Sequence, residues 1–297
     1  MNSLANIVQS VAARKVAPKT FEYLERLQRM LAPDVLDRAT GMHYGEQVKR
    51  VSVRISAKKF KRIELLHITD VQFGHVECRY HRVAEYRDWV LAEPNRFMFW
   101  GGDMIDAYAA WSPGTAWDNL FDPQSQVYRF VECWAPARHR VLGFVGGNHE
   151  RRAIPGFGDL GVLLATLLKV PYSNGQQLVD IHYGAWKPHK THLWHGRGAA
   201  RTDGGKMQMM MTFVKDHPGS HLYLVGHLHT AMMRTLHSAE RREDKLDVRM
   251  VKGFAAMSSS FLSTWGTYSE VSGLSPHDCM MACLVLEPDG GSEMTWR

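Results

Sequence analysis

The chain has no run of the 18 or so uninterrupted apolar residues that a membrane span requires; its best stretch, Gly161 to Leu168, is far too short. Cysteine is scarce, with Cys78, Cys133, Cys279 and Cys283 in 297 residues, too few for a disulfide framework. Cys279 and Cys283 are spaced for neither a thioredoxin-like motif nor a zinc knuckle, and read as buried thiols in a reducing cytoplasm. The first twenty residues lack any acid, yet they also lack the basic start and apolar run of a secretory signal. Internal repeats and a linker that would cut the chain in two are missing as well. With 45% hydrophobic and 22% charged residues, disordered and collagen-like architectures are excluded. Histidine is the residue in excess: there are sixteen, nine of them between His149 and His229. Imidazole titrates near neutrality and ligates metals, so the excess favours chemistry over scaffolding. A net charge of +6 suits a phosphate-bearing partner, though many basic proteins bind no polyanion.

Leu4, Ile7, Val8 and Val11, then Phe21, Leu24, Leu27 and Leu31, recur at helical spacing with Pro18 and Pro33 as breaks. Residues 1–60 are therefore expected to form an N-terminal extension of two short helices and a strand, with the main domain at 61–297. The strand is marked by Val51, Val53 and Ile55 alternating with polar residues. Around it lies an acid-free run: Lys49, Arg50, Arg54, Lys58, Lys59, Lys61 and Arg62. The run reads either as a charged guard on an edge strand or as a phosphate-backbone surface. The second reading holds only if the strand lies beside the active cleft.

From residue 62 apolar strands end in loops rich in Gly, Asp, Asn and His. The clearest are Ile63 to Thr69, Phe97 to Gly101, Val141 to Gly146, His192 to His195 and His221 to Val225. Helical patterns fit between them near His81 to Leu91, Leu160 to Leu168 and Lys206 to Asp216. Such alternation predicts an α/β domain whose ligands sit outside the carboxyl ends of the strands. Five strand-end segments carry ionisable groups there: Asp70-Val71-Gln72 with His75; Gly102-Asp103-Met104-Ile105-Asp106; Gly147-Asn148-His149-Glu150; His195-Gly196; and Gly226-His227-Leu228-His229. Singly each is a turn or a solvated histidine. Seven or eight donors converging on one strand edge are what two adjacent cations require.

In these residues the chain resembles the calcineurin-like metallophosphoesterases, whose pattern is Asp-x-His, Gly-Asp-x-x-Asp, Gly-Asn-His-Asp/Glu, a His beside Gly, and Gly-His-x-His. Four of the five elements are intact and in order, and the resemblance covers roughly residues 62 to 290. It implies a four-layer α/β/β/α sandwich with two mixed sheets and a dinuclear centre at one end. It further implies that Asp70, Gln72, Asp103 and His229 hold one divalent ion and that Asn148, His195 and His227 hold the other, with Asp103 bridging. The first motif departs from the pattern, because Gln72 stands where the family has His. The same replacement occurs in the family's manganese-dependent ADP-ribose and CDP-alcohol diphosphatases. Either the Gln72 oxygen ligates, or His75 swings in; manganese is expected first, with iron, zinc or nickel as alternatives.

The chemistry implied is attack of a metal-activated hydroxide on phosphorus. His149 is expected to protonate the leaving group, with Glu150 holding the imidazole and Asp106 supporting the loop. Arg151, Arg152 and Arg197 are candidate phosphate clamps, or else solvated charges. The glycines of Gly196-Arg197-Gly198 and Gly204-Gly205-Lys206 are expected to form a flexible loop. His67 is expected in the core, His192 on the strand face away from His195, and Met207, Met209, Met210 and Met211 over a core or groove.

Asp106 is followed by Ala107 and Tyr108, which makes the protein serine/threonine phosphatase branch, with its Asp-Arg-Gly, a poor match. Leu66-His67-Ile68-Thr69-Asp70 looks more like the family's DNA-repair exonucleases, and Ser258-Ser259-Ser260-Phe261 like its phage members. A nuclease is therefore the leading expectation. The alternatives are a small-nucleotide phosphodiesterase or pyrophosphatase, and an inactive binding scaffold; the last would have lost His149 first. Expected partners are a nucleic acid or nucleotide and no membrane. The oligomeric state is open.

Overall fold

The computed structural model describes residues 48–112, 115–184, 188–241, 248–265, 270 and 276–297, all within the unit Gly45–Arg297. The two helices expected before residue 33 lie outside the described residues. Twelve strands are present among the described residues: β1 Lys49–Ile55, β2 Ile63–Ile68, β3 Arg96–Trp100, β4 Val141–Val145, β5 Tyr172–Ser173, β6 Gln176–Tyr183, β7 His189–Trp194, β8 Leu222–Val225, β9 Met232–Arg241, β10 Val248–Met257, β11 Ala282–Leu286 and β12 Ser292–Trp296. Six α-helices accompany them among the described residues: α1 Tyr80–Ala92, α2 Pro123–Trp134, α3 Asn148–Arg152, α4 Ile154–Phe157, α5 Leu160–Leu168 and α6 Asp203–Asp216.

The strands form two six-stranded mixed sheets, β1-β6-β7-β8-β10-β9 and β12-β11-β2-β3-β4-β5. Their alternation explains the stacking. Ile63 and Leu65 on β2, with Phe99 on β3 and Leu193 on β7, fill the space between the sheets. Leu66, Ile68, Met98, Trp100 and Phe144 face the other way, onto α1, α2 and α5. On the far side Met210 and Phe213 of α6 cover Tyr223, Val225 and Met257. The result is the expected four-layer α/β/β/α sandwich with two mixed sheets. Met207 and Met209 pack on that outer cluster, as anticipated for an adaptable helix face.

Strand β1 is an edge strand, parallel to β6 from Lys49↔Gln177 to Ile55↔Tyr183. It thus belongs to the sandwich, although the sequence placed it in the extension. Because Gln177 also pairs with Leu193, Lys49 is level with the end of β7, and Ile55 lies beyond His189 at the opposite end. Lys58, Lys59, Lys61 and Arg62 follow Ile55 and precede β2, so roughly 25 Å of extended chain separates Arg62 from Asp70. The phosphate-surface reading of this part of the run is therefore corrected: it lies at the wrong end of the strands. Charge guarding an edge is what remains, with Arg50 bonded to Asp180 at 2.7 Å.

Candidate metal centre

The sandwich brings the carboxyl ends of β2, β3 and β4 from one sheet, and of β7 and β8 from the other, to one end. Among the described residues seven non-glycine positions have positive φ, and five of them are site residues: Asp70, Gln72, Asp103, His227 and His229. Left-handed backbone at ordinary residues costs energy and persists only where packing enforces it, so the surrounding fold holds these turns against their local preference. Gly102, at φ +95, shows the crowding: a Cβ there would lie 2.7 Å from both Gly147 N and His195 Nδ1.

Asp70 is fully buried at the end of β2. Its Oδ2 accepts from Thr69 Oγ1 at 2.7 Å and from His227 N at 2.9 Å. Among the described residues its Oδ1 has no hydrogen bond, and His229 Nε2 lies 3.2 Å away. Gln72 Nε2 is 3.4 Å from His229 Nε2 and 3.5 Å from His149 Nε2, so its amide faces the site. His75 does not join it: its Nδ1 accepts from Glu77 N at 3.1 Å within its own turn.

Asp103 stands between the two halves. Its Oδ1 accepts from His149 N at 2.8 Å, and its Oδ2 lies 3.1 Å from His195 Nε2. Asn148 Oδ1 is 3.0 Å from the same His195 nitrogen. Asp103, His195 and His227 bring donor atoms within 4.8 Å of one another. His195 Nδ1 is 2.8 Å from the Gly101 carbonyl, so Nδ1–H donates there and Nε2 is turned to the cluster. His227 is held through Nε2 by the Gly198 carbonyl at 2.8 Å, which leaves Nδ1 for the cluster.

The donor set fits hard or borderline divalent cations, since carboxylate, amide and imidazole converge on a buried oxygen with no hydrogen bond. Electrostatics agree. Burial opposes a charge on His195, but Asp103 and Asp70 overcome it and push its pKa up to about 9. Burial likewise resists ionisation of Asp103, yet His149 and His195 hold its carboxyl well below the usual range. A divalent ion bound here would displace the protons that this electrostatic setting favours.

His149 presents Nε2 to the cluster, 3.7 Å from Asp103 Oδ2. Its Nδ1 lies 2.8 Å from the Asp106 carbonyl and 3.0 Å from the Asp106 carboxylate. Glu150 does not hold the imidazole, contrary to the sequence expectation. One residue on along α3 it points elsewhere, and accepts from Gly147 N at 2.8 Å, Asp103 N at 3.0 Å and Met104 N at 2.6 Å. Asp106 is the partner of His149, and Glu150 ties the turns at Asp103 and Gly147 together. Burial would lower the His149 pKa, but Asp103 and Asp106 raise it on balance.

Two of the three candidate clamps are already engaged. Arg152 bonds the Asp106 carbonyl and lies 3.2 Å from its carboxylate, while Arg151 donates to Gly147 O at 3.0 Å and Asn174 O at 3.3 Å. Arg197 is exposed on the loop after His195. Gly204, Gly205 and Lys206 are not loop but the first turn of α6, because Thr202 caps it at Gly205 N, 3.2 Å. Lys206 is buried and bonds Thr230, beside His229, a contact that no local pattern announced. The serine run had a readable signal, three hydroxyls after an apolar strand. Ser258 Oγ meets His67 Nδ1 at 2.9 Å, and Ser260 Oγ donates to Asp70 O at 3.0 Å.

These strand-end donors on a two-sheet sandwich are the arrangement that the resemblance to the metallophosphoesterases led us to expect. No protein-family profile and no curated protein matches the chain. Among solved structures it is similar to the NAD nucleotidase NadN of Haemophilus influenzae, at 12% identity and TM-score 0.39 over 79% of this chain. The chain spans 49% of that nucleotidase. It is similar also to the nuclease MPE of Pseudomonas putida, at 14% identity and TM-score 0.33, over 78% of this chain and 87% of the nuclease. Likenesses this remote carry no argument about substrate. No helix among the described residues is long and apolar enough to cross a membrane.

Proposed function

We propose that the chain is a dinuclear metal-dependent phosphoesterase that cleaves phosphodiester bonds, with nucleic acid as its substrate. In this reading Asp70, Gln72, Asp103 and His229 hold one divalent ion and Asn148, His195 and His227 the other, with Asp103 shared and manganese the expected metal. Two such ions supply an activated water and neutralise charge on the phosphoryl group. His149 carries the remaining chemistry, and its geometry is the observation that supports an enzyme over a binding scaffold. Asp106 accepts from Nδ1–H and, after Asp103, raises the His149 pKa, so Nε2 faces the cluster in position to pass a proton to the leaving oxygen. Arg152 in turn steadies Asp106.

A nucleotide-bearing substrate is favoured by two tryptophans on the segment between β3 and α2. That segment leaves the site at Asp106 and returns where Leu120 N bonds Gly74 O at 2.8 Å. It exposes Trp117 at 90% and Trp111 at 53%, the latter anchored by Nε1 to Arg152 O. Exposed indoles beside a phosphate-cleaving centre suit base stacking. The second reading, a small-nucleotide phosphodiesterase or pyrophosphatase, is favoured by Gln72 in the first motif. None of the four cysteines pairs with another, which fits the cytoplasm we propose.

The test is hydrolysis of bis-p-nitrophenyl phosphate with manganese. The wild-type chain cleaves it, and His149→Ala loses roughly 10²- to 10⁴-fold in kcat. Failure of the wild type with manganese, iron, zinc and nickel alike, or full activity of the variant, contradicts the proposal. Single-stranded DNA, duplex DNA and ADP-ribose then rank the substrates.

A further inference from the structure

A cavity of about 550 Å³ opens where α1 begins, walled by Arg79, His81, Arg82, Ser263, Asp278 and Arg297 among others. Three guanidiniums and an imidazole thus line one recess in which, among the described residues, Asp278 is the single acidic side chain. Two of the cations are partly matched: Arg82 pairs with Glu85, and Arg297 reaches Glu64 at 4.0 Å. Arg79 donates to the His277 carbonyl at 3.2 Å and forms no ion pair among the described residues. These cations do not serve the helix. Arg79 and Arg82 stand at its N-terminus, where the dipole is positive and a cation is unfavourable, and the Arg79 side chain caps nothing.

The recess adjoins the metal centre. Arg79 N donates to Phe261 O at 2.8 Å, and Phe261 N donates to Asp70 O at 3.0 Å. His277, whose carbonyl Arg79 holds, has its ring 6.2 Å from that of His229. One residue therefore separates the cationic wall from the proposed ligands.

We infer that this cavity binds a second phosphate group of the substrate, held by Arg79 together with His81 and Arg82. The inference rests on the phosphoesterase reading above. A guanidinium offers paired donors matched to phosphate oxygens, and the cavity is large enough for the group and its linkage. Substrates carrying two phosphates, one to be cleaved and one to be gripped, are then preferred over those carrying one.

Two measurements on the full chain test this. In metal-free protein, calorimetry with inorganic phosphate shows binding that weakens at least ~10-fold in Arg79→Gln and less in Arg79→Lys. With manganese, kcat/KM is compared between 5′-phosphorylated thymidine dinucleotide, with two phosphates, and bis-p-nitrophenyl phosphate, with one. Arg79→Gln and the double variant with His81→Gln lower the ratio of the two at least ~10-fold, chiefly through KM of the dinucleotide. Arg82→Lys, which keeps the charge and the thermal midpoint, lowers it less. An unchanged ratio with unchanged phosphate binding overturns the inference and leaves the phosphoesterase reading standing. A wild type inactive on both substrates overturns both.

Discussion

Along β7 and the residue that follows it, three histidines meet opposite fates. His189 and His192 lie within the strand, where burial, with His221 and His217 respectively nearby, lowers their pKa values to about 3 and about 4. His192 bonds Gln176 at 2.9 Å and packs on Phe213, away from the site. His195, as buried as either, is pushed up to about 9 because Asp103 and Asp70 stand beside it. Burial alone makes histidine a neutral packing residue; burial beside carboxylates makes it part of a cation site. His67 and His277 follow the first pattern, at about 3 and about 4. Sixteen histidines were thus a poor guide, and the end of the strand a good one.

The contrast can be broken most sharply by substitution. His195→Ala is expected to abolish manganese-dependent diester cleavage, by ~10³-fold or more, with the fold retained. His192→Ala leaves kcat/KM within about threefold and lowers stability by ~1–3 kcal/mol, because Gln176 and Phe213 lose their partner. Equal losses of activity in the two variants, read by steady-state kinetics and urea melts, would erase the distinction.

Acid sharpens it further in metal-free protein. These four histidines stay neutral when folded but bind a proton at 6.5 when unfolded, so their stabilisation is complete above pH 6.5 and drains away as pH falls to about 4 for His192 and His277 and about 3 for His67 and His189. Each contributes a slope of up to ~1.4 kcal/mol per pH unit in that window. His195 has the opposite sign: its contribution is whole below pH 6.5 and is lost as pH rises through about 9. Urea midpoints across pH should show His189→Asn flattening the acid limb and His195→Ala flattening the alkaline one.

The smallest effect belongs to the other end of the sandwich. Reversing Lys58, Lys59 and Lys61 to Glu should change DNA cleavage less than about twofold at moderate salt, since they lie beyond a Debye length from the site. A large loss with a flattened salt dependence would restore them to the substrate surface.

Local pattern carried most of the fold and the donor list. β2, β3, β4 and β8 are apolar runs closed by Gly or Asp, and α5 matches its expected bounds, Leu160–Leu168. Strand β6 escaped because its polar residues, Gln176, Gln177, Asp180 and His182, blur the alternation. Helix α2 escaped because the segment before it, from Ala107 on, has no clean period. Glu150 was assigned to its neighbour in sequence, yet its three N–H partners come from two loops. The basic run was misjudged for a related reason. Only strand direction, a product of long-range pairing, tells which end of a sheet a charge occupies.

The most direct test of the account counts manganese. Equilibrium dialysis with metal analysis should give two ions per wild-type chain, one in His229→Ala, and none held tightly in Asp103→Asn, the position shared by both sites. Two ions retained in Asp103→Asn, or one in the wild type, would contradict a dinuclear centre built from these five turns.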